Sequence, residues 1–352
     1  MQKSKGQITF RELSQGEFDS STKNFNLPLT QNGFYGEWQK AIGKKVFRFK
    51  IEGDRLGRGF FQIIKYSLPF GKSYLYIPHG PIFEDDTSEE FWAQFREFCL
   101  GLIKKESSVF LRFDSVLKPD FISGRRTSYV KVPRILYDGS FQPKFESVID
   151  LSRSEEEILA KMKKVNRYSI RQAERVDLVV KILDKNFLEY LDKFYDLICA
   201  TAKRGGFYHL EKDYYKTIFY LCEKERNGFM TIISLDSEVL LVNFFVTYGD
   251  AVYFLFSGSE NKNRRLGYTY LAQWETMKHA KKMGFKKYNL GAVVPDDNRY
   301  HFYKKWRGFS DFKRRFGGEL VEYGDFYDLI YDRFWYSLYF LKKFLVSITT
   351  RA

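Results

Sequence analysis

The chain is poor in cysteine and histidine, the residues that most often form disulfides and metal centres. Three cysteines occur in 352 residues without a C-x-x-C pair, and four histidines are scattered without the H-E-x-x-H spacing of a zinc site. We therefore expect free thiols in a reducing compartment and no bound metal. The residues concerned are Cys99, Cys199, Cys222, His79, His209, His279 and His301.

Long apolar stretches are also lacking. No run reaches the roughly 18 apolar residues that a membrane-spanning helix needs. Residues 1–10 have no apolar core of a signal peptide, so we expect a cytoplasmic protein. Residues 334–351 repeat rings and leucines at helical spacing around Lys342 and Lys343. That pattern fits a helix docked on the first domain, or a helix lying peripherally on the inner face of the cytoplasmic membrane.

Acidic residues are fewer than basic ones. The 58 Lys and Arg against 44 Asp and Glu leave a net charge of +14. This balance favours acidic partners such as nucleic acid, phosphates or an anionic membrane, although a generally lysine-rich surface gives the same number. The length suggests two domains, and 44% hydrophobic residues suffice for their cores.

Apolar periodicity predicts a mixed α/β chain of the α+β kind. Residues 44–83 alternate as three strands, and residues 88–106 form an amphipathic helix with Ser88 as N-cap. A second unit begins with a strand near residue 146, followed by one long helical pattern over residues 154–175 with a capping box at its start.

The rest of the second unit repeats the strand–helix order. A strand, two helices and a meander of three or four strands precede a helix that ends at Gly284, and "KKYNLGAV" follows as the last inner strand. We predict one domain over residues 1–148 and a second over 149–324. The segment 325–352 is expected to pack back on the first domain.

The loop "NRRLGYTYLAQWE" resembles a pyrophosphate-binding turn. Arg264-x-x-Gly267-x-Thr269 falls one residue short of the R/Q-x-x-G-x-G/A pattern with which GNAT acyltransferases hold acetyl-CoA at a helix N-terminus. A β-branched Thr269 would crowd that approach. The loop therefore fits either a CoA site or a helix start that has lost it.

A basic, ring-rich stretch follows over residues 302–329. Cations interleaved with rings suit a groove for phosphates and bases, so we predict tRNA or phosphate contacts there. The alternative is an edge strand with rings facing inward and cations outward. The cations that we assign to tRNA are Lys304, Lys305, Arg307, Arg314 and Arg315.

Several segments together resemble the FemABX family of non-ribosomal peptidyltransferases. They are "LPLTQNGFYGEWQKAIG", "YIPHGPIF", "LRFD", "DLSRSEEEILAKMKKVNRYSIRQAER", "YLAQWETMKHAKKMGFKKYNLGAV" and "FKRRFGGELVEYGDFYDL". The resemblance implies two tandem GNAT-like acyltransferase domains. It implies transfer of an amino acid from aminoacyl-tRNA, with no separate cofactor, to the stem-peptide amine of a peptidoglycan precursor, which builds the interpeptide bridge.

The same resemblance assigns site residues. It implies catalytic roles for Lys313, which would stabilise the developing oxyanion, and for Asp114, which would orient or accept the amine proton. A strand-end carboxylate in a turn hydrogen bond is the alternative for Asp114. The substrate-binding positions implied are Trp38, Lys40, Tyr214, Phe256 and Phe312.

Three positions depart from the family pattern. Phe256 replaces a tyrosine, Leu210 an arginine and Ile42 a lysine, all expected to contact a nucleotide diphosphate. Their loss favours a lipid-linked acceptor (lipid II) over UDP-MurNAc-pentapeptide. Only about a dozen residues lie between Tyr215 and Phe229, so no inserted coiled-coil arm is expected, and the protein is expected to be a monomer. The alternatives are a CoA-dependent N-acyltransferase and a non-catalytic tRNA- or membrane-binding relative.

Overall fold

The computed structural model divides the chain into two compact units. The first combines Met1–Lys144 with Glu322–Ala352, and the second is Phe145–Val321. The structure describes residues 8–349 except 24, 26, 54–56, 85–87, 115–128, 134–141 and 297–305.

Strands are numbered in chain order. They are β1 (Ile8–Glu12), β2 (Lys45–Gly53), β3 (Gly57–Ser67), β4 (Ser73–Ile77), β5 (Ile82–Phe83), β6 (Phe110–Phe113), β7 (Tyr129–Lys131), β8 (Phe145–Asp150), β9 (Val179–Leu183), β10 (Gly228–Leu235), β11 (Glu238–Tyr248), β12 (Ala251–Ser259), β13 (Lys287–Ala292), β14 (Glu319–Glu322) and β15 (Tyr327–Ile330).

Helices are numbered in the same way. They are α1 (Gln15–Thr22), α2 (Gly33–Ala41), α3 (Glu89–Lys105), α4 (Glu155–Lys161), α5 (Lys164–Ala173), α6 (Leu191–Gly205), α7 (Lys212–Glu225), α8 (Tyr268–Lys282), α9 (Arg307–Arg314) and α10 (Arg333–Thr349).

The first unit is built on a mixed sheet with the order β1-β2-β3-β4-β6-β15-β7, and β5 pairs with β3. Among the described ladders of this first sheet, only β4 and β6 pair in parallel. The predicted helix α3 covers the sheet. Ser88 caps it by accepting the N–H of Phe91, and the helix buries Phe91, Trp92 and Phe95 in an aromatic core.

The C-terminal segment belongs to this first sheet. Strand β15 lies between β6 and β7, so the chain returns to its first unit after completing the second. Arg112 of β6 and Asp328 of β15 form a buried bidentate pair, with Nε–Oδ1 and Nη2–Oδ2 distances of 2.7 Å. The Tyr336 hydroxyl of α10 also donates to Asp328, at 2.9 Å. This polar cluster attaches α10 to the sheet.

The second unit has its own sheet, in the order β14-β8-β13-β12-β11-β10-β9. The meander β9 to β12 is antiparallel, and β12 pairs in parallel with β13. Helix α8 packs on one face through Leu271, Trp274 and Met277. The other face carries Phe244, which contacts Phe187 and Phe219 from the α6–α7 side. Gly284 ends α8 with a φ of 91°, as predicted.

One predicted helix is two. The pattern over residues 154–175 was interpreted as continuous, but α4 ends before Met162 and α5 starts at Lys164. Lys163 is extended, with ψ at 148°, and donates its N–H to the Arg315 carbonyl at 2.9 Å. A tertiary hydrogen bond therefore interrupts the helix. The capping box of Ser154 and Glu157 is present.

The fold prediction is confirmed as a mixed α+β chain built on two sheets. Helix α7 leads directly to β10 through Arg226 and Asn227, so no arm is inserted at the predicted place. The boundary between the units lies a few residues before the expected position at 148, because all of β8 pairs with the second sheet. The returning segment likewise starts at Glu322 rather than at 325.

We predict that Asp328→Asn destabilises the first unit by about 3–5 kcal/mol, because it leaves the buried Arg112 guanidinium without its counter-charge. Urea unfolding followed by circular dichroism measures the loss. Glu84→Gln is the control, since its partner Arg58 forms a surface pair that should contribute little. Equal effects of the two variants would contradict the role assigned to the buried pair.

Candidate active site

Lys313 lies on a helix. The alternative interpretation of the stretch around it, an edge strand, is wrong, because residues 307–314 form α9. Phe312 and Phe316 are four residues apart, a spacing that fits both the alternation of a strand and one turn of a helix. In the structure both rings pack on Tyr270, with centroid distances of 5.2 and 6.1 Å. Phe312 is thus a packing residue of this helix.

The Lys313 ammonium is held against the backbone of β13. Its Nζ donates to the Ala292 carbonyl at 3.0 Å and lies over the rings of Phe309 and Phe254, at 5.3 and 5.8 Å from the centroids. A Cβ at Gly291 would lie 3.6 Å from Nζ. Burial lowers the pKa of Lys313 from 10.5 to about 8, against an opposing effect of the Glu146 carboxylate.

The parallel ladder between β12 and β13 ends beside this lysine. The two strands pair only over Ala251–Tyr253 and Lys287–Asn289, although β12 continues to Ser259. Beyond that point the Asn289 side chain accepts the N–H of Gly291 at 2.7 Å and donates to Glu146 at 2.7 Å. Lys313 thus places a partly desolvated positive charge near the point where β12 and β13 stop pairing.

Tyr214 and Phe256 lie together, but not with Lys313. The two rings are 6.4 Å apart, and Phe256 also packs on Tyr215 at 5.1 Å. A bulge in the β11–β12 ladder places Phe256 on the α6–α7 face of the sheet and Phe254 on the α8 face. The predicted substrate pair and the predicted catalytic lysine are therefore close along β12 but on opposite faces.

Phe256 and Leu210 bring neither the hydroxyl nor the guanidinium that the family pattern has at these two positions. Leu210 is partly exposed, and its N–H donates to the Tyr215 hydroxyl at 3.2 Å. The flanking Lys212 forms an ion pair with Asp192 rather than replacing the missing arginine.

Trp38 and Lys40 both lie on α2 in the first unit. Trp38 is buried and packs edge-on against Tyr35 at 5.4 Å. Lys40 is exposed and pairs with Glu37 at 3.0 Å, and Glu37 also accepts from Arg48 at 2.8 Å. Lys40 is therefore accessible to a ligand, whereas Trp38 contributes to packing.

The catalytic assignment of Asp114 is not supported. Its side chain is 0% exposed, and Oδ1 accepts the backbone N–H of His79 at 2.9 Å. Desolvation raises the pKa of Asp114 well above its usual range, and burial lowers the pKa of His79 to about 3. Asp114 thus makes the strand-end turn hydrogen bond that was the alternative, because an enclosed carboxyl has no open face for a substrate amine.

The cations assigned to tRNA differ in their surroundings. Lys304 and Lys305 lie outside the described residues. Arg307 and Arg315 are exposed. Arg314 instead pairs with Asp311 and donates to the Val294 carbonyl, so its guanidinium is engaged within the protein.

A second basic surface on α5 was missed. Lys164, Tyr168, Arg171 and Arg175 are all exposed and follow the spacing i, i+4, i+7, i+11; the first three lie on α5, and Arg175 lies in the turn just beyond its end. The α5 start abuts the α9 end through the Lys163–Arg315 hydrogen bond. We name these four residues the α5 basic face. The spacing was readable in the sequence, but the helix was treated there as a single amphipathic element.

Close packing between two helices explains the glycine of the CoA-like loop. Gly267 adopts a φ of 77°, and a Cβ there would lie 2.4 Å from the Ser169 carbonyl oxygen of α5. The Tyr268 hydroxyl donates to the Glu260 carbonyl at 2.8 Å and closes the loop. Gly267 therefore allows α5 to pack against the start of α8, which accounts for the motif without a pyrophosphate.

Comparison with known proteins decides the family. The FemAB family model matches residues 131–237 and 221–343, which together cover more than half of the chain. The chain belongs to the FemAB family. No curated protein sequence matches it.

Solved structures agree with this fold. FemX superposes with a TM-score of 0.77 at 18% identity, over 94% of this chain and 99% of its own. The L-PGS of Bacillus licheniformis gives 0.54 at 13% identity, covering 92% and 93% of the two chains. A tandem GNAT protein from the clavulanic acid biosynthesis pathway gives 0.54 at 10%, covering 92% and 98%. Family and fold together indicate a transferase.

We predict a pH-dependent stability contribution from Lys313. Between pH 8 and 10.5 the unfolded chain holds a proton on Lys313 that the folded protein has lost, so stability rises with pH in this window. Relative to Lys313→Met, the wild type should gain up to about 3 kcal/mol across it. Denaturant unfolding of both proteins at several pH values measures the difference. Parallel stability curves would show that the ammonium is not desolvated.

Proposed function

We propose that the chain is an aminoacyltransferase that moves an amino acid such as glycine, alanine or serine from aminoacyl-tRNA to the stem-peptide amine of a peptidoglycan precursor. The observation that carries this proposal is the Lys313 ammonium, partly buried where the β12–β13 ladder ends. Membership of the FemAB family supports the reaction class.

The reaction is aminolysis of an ester. The amine nitrogen attacks the aminoacyl carbonyl carbon, a C–N bond forms, and the C–O bond to the tRNA ribose breaks. The ester is already activated, so the enzyme mainly positions the reactants and stabilises the tetrahedral oxyanion. Lys313 suits that role because its compact charge is partly removed from water, which strengthens its field.

Lys313 also suits the proton balance. The attacking amine loses a proton, and the departing ribose oxygen needs one. An ammonium with a pKa of about 8 is mostly charged at neutral pH, yet it can give up its proton to the leaving oxygen and regain one from the amine. With Asp114 enclosed, one group on α9 performs both tasks.

The donor and acceptor follow from charge and from the missing polar groups. The α5 basic face, with Arg307 and Arg315, provides exposed cations and an exposed ring for a tRNA acceptor end. At positions 42, 210 and 256 the chain has apolar residues, which favours a lipid-linked precursor over the UDP-linked one. We propose that the enzyme works as a cytoplasmic monomer.

The test is transfer in vitro from a mixed aminoacyl-tRNA pool to lipid-linked precursor, read by mass spectrometry. Parallel reactions contain the UDP-linked precursor, or acyl-CoA as donor. Product from aminoacyl-tRNA alone supports the proposal. Product from acyl-CoA alone would make the chain a CoA-dependent N-acyltransferase, and binding of tRNA without product would make it a non-catalytic relative.

We predict that Lys313→Met lowers the transfer rate by about 10²–10³, the usual cost of losing one oxyanion donor. Binding of tRNA should weaken by less than about tenfold, since one phosphate contact at most is lost. Lys281→Met is the matched control, because Lys281 of α8 also donates to two backbone carbonyls, of Leu151 at 2.8 Å and Arg153 at 2.7 Å. Loss of activity in the control but not in Lys313→Met would place the chemistry elsewhere.

A further prediction concerns the salt dependence of tRNA binding. Log K should fall linearly with log salt, and replacing Lys164, Arg171 and Arg175 together by Ala should flatten the slope by up to about 2–3 units. The control replaces three exposed lysines of α6 and α7, Lys203, Lys216 and Lys224, and removes the same charge. Equal changes in slope would show that tRNA responds to net charge rather than to the α5 basic face.

A further inference from the structure

Helix α10 has an exposed apolar stripe. Phe334, Leu338 and Leu341 are 68%, 43% and 53% exposed and follow the helical spacing i, i+4, i+7. We name these three residues the α10 stripe. Large apolar side chains that lie exposed along one line of a helix often mark an interaction surface.

The opposite side of α10 packs against the first sheet. Tyr336 is buried and packs on Phe110 at 5.2 Å, and Tyr339 packs on the same ring at 5.0 Å. The Arg112–Asp328 pair adds hydrogen bonds to the hydroxyls of both tyrosines. The helix is thus attached to the sheet without the α10 stripe, and stability of the fold does not account for the stripe.

The turn between β3 and β4 adds a fourth exposed apolar side chain beside the helix. Phe70 is 84% exposed, and its φ of 60° is a left-handed conformation that costs a bulky residue free energy. The centroid of its ring lies 5.7 Å from that of Trp335 of α10, and the Lys72 ammonium lies over the Trp335 ring at 5.1 Å from its centroid. Two separate elements therefore place apolar rings and a cation next to each other.

The charged residues that the chain carries from Arg333 onward have one sign. Residues 333–352 include four cations, Arg333, Lys342, Lys343 and Arg351, and no acidic residue. Arg333 and Lys342 are exposed near the two ends of the α10 stripe. Apolar side chains flanked by cations match the headgroup region of an anionic bilayer, where rings enter the acyl boundary and cations meet phosphates.

We propose that the α10 stripe, Phe70 and the adjacent cations bind the surface of an anionic lipid bilayer. The helix lies in the interface, since none of the helices in the described part of the chain is long and apolar enough to cross a membrane. Binding would bring the enzyme to a lipid-linked acceptor, and only this consequence rests on the proposed function.

The experiment is co-sedimentation of the full chain with vesicles of phosphatidylcholine alone or mixed with phosphatidylglycerol. The wild type should bind the mixed vesicles, and Phe334→Ser with Leu338→Ser and Leu341→Ser should reduce the partition coefficient by at least about tenfold. Arg333→Gln with Lys342→Gln should reduce it by roughly fivefold per cation, and high salt should do the same. The matched control changes Val179, Tyr220 and Met283, exposed by 61%, 57% and 52%, to Ser and should bind normally.

Several results would overturn the proposal. They are equal binding of the stripe variant and the control, no binding by the wild type, or a concentration-dependent dimer in light scattering that the stripe substitutions abolish. If the triple variant does not fold, Phe70→Ser and Phe334→Ser alone provide the same comparison. Vesicle binding should survive Lys313→Met, and transfer to lipid-linked precursor dissolved in detergent, without a bilayer, should survive the stripe substitutions, so either proposal can fail without the other.

Discussion

The buried pair of Arg112 and Asp328 determines how the chain is organised. It joins β6 to β15 across more than two hundred residues, and the whole second unit lies between them in the sequence. Two fully enclosed charges are tolerated because both Asp328 oxygens and three guanidinium nitrogens have partners. The second unit is therefore an insertion, and β15, which follows it in the sequence, completes the first sheet.

The two ionisable side chains proposed for catalysis illustrate different kinds of burial. Asp114 is enclosed with a backbone N–H donor, and desolvation raises its pKa well above the usual range. The Lys313 side chain is partly buried, its ammonium lies near the end of the β12–β13 ladder, and burial lowers its pKa to about 8. A charge is useful to a reaction when it is partly desolvated and still reachable, and only the lysine meets both conditions.

Sequence patterns predicted helices and strands well where the spacing of apolar residues fitted only one of the two periods. Ser88 and α3, Gly284 after α8, and three strands between residues 44 and 83 follow from local patterns, although the structure adds a short fourth strand there, β5. Sequence patterns failed where a distant group decided the outcome. Met162 and Lys163 contain no breaker, and α4 separates from α5 because the Lys163 N–H bonds to the Arg315 carbonyl. In α9 the spacing of the phenylalanines fits two periods, and only packing on Tyr270 selects the helix.

The candidate site shows the same limit. The family resemblance led to Lys313, Tyr214 and Phe256. A bulge in the β11–β12 ladder decides which face of the sheet Phe256 occupies, and such a bulge depends on the paired strand. The C-terminal helix was equally ambiguous, because docking and membrane binding both require apolar residues at helical spacing. The structure resolves this by dividing the helix: Tyr336 and Tyr339 face the sheet, while the α10 stripe faces away from it. The two interpretations of residues 334–351 are therefore compatible, since each describes a different face of the same helix.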